Sequence, residues 1–167
     1  IFDKIGNTPG KNDKIAIIKE NADNELFVKT LKFVYDEFVH TGLSDKKINQ
    51  ETTLLDDFIY HDGTYNFEQI MRYLKLHNTG RHEDVMIVQD YINAFEDKDV
   101  QEFLKKVFTN NLKVGITAKS INKALGKGAI REFGCQLAHP LSKYPKKLNG
   151  HSFVLTQKLD GHRSVCI

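Results

Sequence analysis

Cys135 and Cys166 are the only thiols in 167 residues. They stand far apart, and neither has a partner at metal-ligand spacing. That argues against a disulfide framework and fits a reducing compartment, with both residues expected as core thiols. No apolar run reaches the length of a membrane span or a signal peptide, so the chain is expected to be soluble and cytoplasmic, without a membrane partner. Internal repeats and low-complexity segments are absent, which removes solenoid and linker-like architectures. Acidic residues are scarce at one end. Residues 111–167 hold 10 Lys+Arg against 2 Asp+Glu, net +8, whereas residues 1–110 hold 14 against 20, net −6, so the overall +2 hides an asymmetry. The basic end is where a polyanion would sit.

What is there is mostly helical periodicity. Ile1 to Lys11 reads as an irregular approach with a turn at Asn7-Thr8-Pro9-Gly10. Asn12 or Asp13 is expected to cap a short helix bearing Ile15, Ala16, Ile17 and Ile18 and ending near Asn21. A stronger helix starts at Asp23, with Phe27, Leu31, Val34 and Phe38 at helical spacing and Gly42 placed to stop it.

Between Ser44 and Gly63 the pattern weakens. Asp57 and His61 are four apart and would share a helix face, but no further His or Cys falls at ligand spacing. Leu54 to Gly63 is therefore read as a surface acidic turn, and no metal site is expected. Three further helices are expected over Tyr65–His77, Glu83–Phe95 and Asp99–Thr109, joined by short connections. Successive helices with almost no strand-like alternation predict a compact all-α domain of about 125 to 130 residues.

The run breaks at Asn111-Leu112-Lys113-Val114-Gly115-Ile116-Thr117-Ala118-Lys119-Ser120-Ile121-Asn122-Lys123. Gly115 permits close approach of the main chain, and Thr117 can cap the next helix, whose first N–H groups form a ready phosphate seat. Lys113, Lys119 and Lys123 surround it. By itself the stretch also fits a helix-turn-helix corner with a solvated lysine face. Lys143, Lys146 and Lys147 make a second basic run, read as solvated linker.

Near the end, two β-prone runs flank a polar turn in Phe153-Val154-Leu155-Thr156-Gln157-Lys158-Leu159-Asp160-Gly161-His162-Arg163-Ser164-Val165-Cys166-Ile167. A solvated hairpin could carry the same residues. The pattern Lys158-x-Asp160-Gly161-x-Arg163, however, resembles the first motif of the covalent nucleotidyltransferases: DNA ligases, RNA ligases and capping enzymes.

Three more segments extend the resemblance to ATP-dependent DNA ligases of phage type. Leu112 to Gly115 followed by Asn122-Lys123 is similar to a segment of their N-terminal DNA-binding domain. Lys19-Glu20-Asn21-Ala22-Asp23-Asn24-Glu25-Leu26 resembles their Lys-Asn-x-Asp-Asn-Glu-Leu, and Gln136-Leu137-Ala138 their Met-Leu-Ala where the nucleotidyltransferase domain begins. The order of these segments fits, and the likeness is faint only between residues 40 and 80.

The resemblance implies a mainly α protein. A multi-helix DNA-binding domain over residues 1–130 would precede a linker and the first β-strands of an α+β adenylation domain over residues 131–167. It implies ATP and Mg2+ as cofactors and nicked duplex DNA as partner to a monomeric protein. Lys158 would be the nucleophile. Its amine must be neutral to attack, so burial or neighbouring cations must bring it down from an ordinary pKa of about 10.4. Asp160 would orient the lysine or a water, and Arg163 would hold phosphate or ribose oxygens. Thr156 and Gln157 would adjoin the nucleotide. Thr156 stands where many ligases have Glu, which implies recognition of the base by main chain. Lys113, Gly115, Thr117, Lys119, Asn122 and Lys123 would bind DNA.

With no initial Met and no later family motif, the chain is expected to be the front of a longer protein, unable to seal nicks alone. Two other readings stand beside this one: a stand-alone helical DNA-binding module, and an RNA ligase or capping-type nucleotidyltransferase.

Overall fold

The computed structural model describes residues 1–50, 65–132 and Gly150. The chain divides into two compact units, residues 1–133 and 134–167. The first is mainly helical. Its elements are α1 (Phe2–Asn7), α2 (Lys11–Glu20), α3 (Glu25–Tyr35), α4 (Asp45–Ile48), α5 (Phe67–Leu76), α6 (His82–Asn93), α7 (Lys98–Phe108) and α8 (Ala118–Leu125). The strands expected after Phe153, and both cysteines, lie outside the described residues.

The helix starts follow side-chain chemistry. Asn24 accepts from the Phe27 N–H at 3.0 Å to open α3. Asn66 and Gln69 form a reciprocal capping box on α5, at 2.9 and 2.7 Å. Asp84 is buried in the first turn of α6, where its carboxylate accepts from the Arg81 N–H at 2.9 Å and the Tyr73 hydroxyl at 2.7 Å.

Three expectations from the sequence are corrected. The approach to α2 is itself helical: Phe2–Asn7 coils so that Ile5 is fully buried and Phe2 packs its ring on Phe27 and Phe103. Next, α2 starts at Lys11 with Gly10 as its cap, and Asn12 and Asp13 lie inside its first turn. Finally, α3 stops at Tyr35, with Asp36 already extended, so Phe38 lies outside the helix and is exposed. Gly42 serves a different purpose. Its φ of +68° and that of Gly80, +59°, let two backbones cross in contact, and Lys47 donates to both carbonyls, at 3.3 and 2.9 Å.

Two apolar clusters form the core, and α3 belongs to both. Phe33 and Val34 join Ile70, Leu74, Val88, Ile92, Leu104, Val107, Phe108 and Leu112. Phe27 and Leu31, on another side of α3, join Ile5, Ile17, Ile18, Ile116, Ile121 and Ile130. Burying each such side chain contributes about 1.5 to 3 kcal/mol. The clusters meet at Phe2, Tyr35 and Val114.

Candidate nucleic-acid interface

The segment between α7 and α8 crosses the seam of the two clusters as an irregular stretch that bends at Val114 and Gly115. Leu112 and Ile116 are buried, one in each cluster, and Val114 packs against both. Lys113, Gly115 and Thr117 are exposed. Three of the expected DNA-binding residues therefore stay at the surface.

Distant side chains hold the segment in place. The Tyr35 hydroxyl donates to the Leu112 carbonyl at 2.7 Å, and the Lys14 ammonium donates to the Val114 carbonyl at 2.6 Å. The Asn110 amide donates to the Val39 carbonyl at 2.8 Å. Burial pushes the Tyr35 phenol up to about 12. Lys14 is 8% exposed, so its charge lies directly under the turn. Gly115 has φ +70°, and a Cβ there would come 2.6 Å from the Lys14 Nζ. The backbone conformation favours glycine, and a Cβ would also oblige the end of the Lys14 side chain to shift.

Thr117 caps α8. Its hydroxyl accepts from the Ser120 N–H at 3.4 Å and lies 3.2 Å from the Ser120 hydroxyl. The first amides of α8, at Ala118 and Lys119, precede the helix's own hydrogen-bond ladder and point out of its N-terminus. Lys119 and Lys123 are exposed and four apart, so they share a face. None of Lys113, Lys119, Lys123 and Lys127 forms an ion pair among the described residues. The α8 end of this edge is rich in donors and in positive charge, whereas Lys113 borders a groove that also carries Asp3, Asp97, Asp99 and Glu102.

Asn122 is differently occupied. Its amide donates to the Ile130 carbonyl at 3.0 Å and to Glu132 at 2.6 Å, and its carbonyl accepts from the Ile130 N–H at 2.7 Å. It clamps the turn after α8, which brings Lys127 to the surface between Gly126 and Gly128, both at positive φ.

Sequence reasoning missed Lys14 and Lys127. Lys14 was detectable, since with Ile17 and Ile18 it occupies one helical stripe, where a charged residue is out of pattern. The Gly-Lys-Gly at residues 126–128 was a visible signal for an exposed turn. Thr156, Gln157, Lys158, Asp160 and Arg163 lie outside the described residues, as do Lys143, Lys146, Lys147, Asp57 and His61.

No family model matches the chain, and the search of curated proteins returns no match.

Proposed function

We propose that this chain is the front part of an ATP-dependent DNA ligase, in which the helical domain grips duplex DNA and Lys158 carries AMP. One observation carries the reading. An exposed edge of Lys113, Gly115, Thr117, Lys119 and Lys123, with the free amides of α8, precedes the ligase-like Lys158-x-Asp160-Gly161-x-Arg163 in the same chain. Main-chain amides and lysines without an ion pair among the described residues suit phosphate oxygens and carry no sequence information, which is what an enzyme acting at any nick requires. Asn122 in this reading positions the edge by fixing the turn that follows it.

In the parent protein the Lys158 amine attacks the α-phosphorus of ATP and pyrophosphate leaves. The AMP then passes to the 5′-phosphate at a nick. The 3′-hydroxyl attacks that phosphate, AMP departs and the strand is joined. Mg2+ would offset phosphate charge in each displacement.

The test is binding of the chain to nicked duplex DNA across a salt series, beside a Lys113→Gln/Lys119→Gln/Lys123→Gln variant. Micromolar or tighter binding is expected, with log K falling by about 0.9 per phosphate contacted for each decade of salt. The variant should bind more weakly, with a shallower slope. No binding at low salt would remove the DNA-gripping role, and equal binding of nicked RNA would favour the RNA-joining alternative.

A further inference from the structure

A second donor-rich region lies between α3 and α5. Lys29, Lys32, Phe33, Asn66, Glu68, Gln69, Met71, Arg72 and Lys75 line a cleft of about 380 Å³. Its charges are unequally matched. Lys29 is neutralised from two sides, at 2.8 Å by Glu25 and 3.0 Å by Glu68. Those carboxylates raise its pKa, and Glu68 is the only acid lining the cleft among the described residues. Lys32 and Arg72 are exposed and have no acidic partner among the described residues. Lys75, also exposed, has its ammonium 5.7 Å from the centre of the buried Phe33 ring, within cation–π range.

The two amides have their acceptors taken. The Asn66 carbonyl oxygen accepts from the Gln69 N–H and the Gln69 carbonyl oxygen accepts from the Asn66 N–H, so the capping box leaves each NH₂ group as a donor. Three cations and two amide donors therefore line a cleft where, among the described residues, the one carboxylate is already paired. We infer that this cleft is a second phosphate-contact surface, which takes the sugar–phosphate backbone of nucleic acid flanking the segment gripped by the Gly115 edge.

Polyanion chemistry favours a strand over a small anion. The cations stand on two helices around an open cleft, where each exposed ion contact by itself contributes little. A continuous backbone can meet all of them and release its counterions, which a single phosphate cannot. The spacing also suits one ligand. Tyr35, which holds Leu112 beside Lys113, is one turn of α3 beyond Lys32. The two regions are thus separated by less than the roughly 34 Å of one duplex turn.

The inference rests on the DNA-binding reading, and the test separates the two. A Lys32→Gln/Arg72→Gln/Lys75→Gln variant replaces exposed side chains only, and its circular dichroism should match the parent. It is compared with the unaltered chain and the Lys113/Lys119/Lys123 variant on a short nicked duplex and on one a full turn longer. The cleft variant is expected to lose several-fold affinity on the longer duplex, with a salt slope shallower by up to about 2.7 for its three lost contacts, and to change little on the shorter one. An unaltered slope on the longer duplex, while the Lys113/Lys119/Lys123 variant still weakens binding, would overturn the cleft and leave the DNA-binding reading intact. Absence of binding by the unaltered chain would overturn both. Tripolyphosphate binding that is lost in the cleft variant, with DNA binding unaffected, would mark a small-anion site and overturn the nucleic-acid assignment.

Discussion

The Lys14 ammonium donates to the Val114 carbonyl at 2.6 Å, joining α2 to the segment that presents Lys113 and Gly115. A buried cation normally costs free energy. Here it satisfies a carbonyl and adds positive charge beneath the proposed phosphate seat. Lys14→Met should keep most of the packing and leave the Val114 carbonyl unpartnered, at a cost of about 1 to 3 kcal/mol in urea unfolding. It should also weaken DNA binding by more than that loss of stability explains. Unchanged binding by a folded Lys14→Met protein would reduce Lys14 to a structural strut.

Gly80 and Gly42 cross too closely for any side chain. Gly80→Ala would drive its Cβ into the Gly42 carbonyl while straining a φ of +59°, and is expected to cost on the order of 3 kcal/mol. Gly128→Ala is the matched control. Its φ is +83° but nothing lies within 4 Å of the added Cβ, so strain alone should cost about 1 kcal/mol. Thermal melts of the two variants should separate clearly.

Alkaline pH should loosen the domain through its tyrosines. Tyr35 is raised to about 12, chiefly by burial, so the folded state holds its phenolic proton more tightly than the unfolded chain. That contribution is complete below about pH 10, the unfolded value, and disappears as pH rises toward 12. Tyr73 is raised in the same direction by burial and by its bond to Asp84. Tyr35→Phe should therefore reduce, without abolishing, the fall in stability between pH 10 and pH 12. An identical pH profile in that variant would exclude Tyr35 as a source of the effect.

Lys158 provides the chemical test. In the parent protein, incubation with ATP and Mg2+ should add one AMP to Lys158, detectable by mass spectrometry of the intact protein, and Lys158→Ala should lose both the adduct and nick sealing. Absence of both adduct and nick sealing in the unaltered parent protein would sink the ligase reading and leave a helical DNA-binding module, whereas sealing that survives Lys158→Ala would remove Lys158 as the nucleophile.

Much of the helical domain was legible in the sequence. The stripes of α5, α6 and α7 were strong enough to place each to within a few residues, because an amphipathic helix repeats its apolar side chains at a period that few other arrangements imitate. The Thr117 cap was legible for the same local reason. Less visible was α1, six residues long and containing a glycine, since burial of Ile5 and Phe2 against distant helices sustains it. The stop of α3 at Tyr35 was obscured by Phe38, which continues the helical spacing into residues that are not helical.

The candidate site divides in the same way. The sequence by itself determined where the lysines and glycines fall, that the last third of the chain is basic, and which residues could cap a helix, because these are properties of composition and of neighbours a few positions apart. Tertiary structure alone decided which of them share a surface. It placed Lys14 beneath Gly115 across a separation of 101 residues in the chain, occupied the Asn122 amide within the domain, and gathered Lys32, Arg72 and Lys75 around one cleft. Those outcomes depend on how α2, α3, α5 and α8 pack against two apolar clusters, and no local spacing encodes a contact made only when distant helices meet.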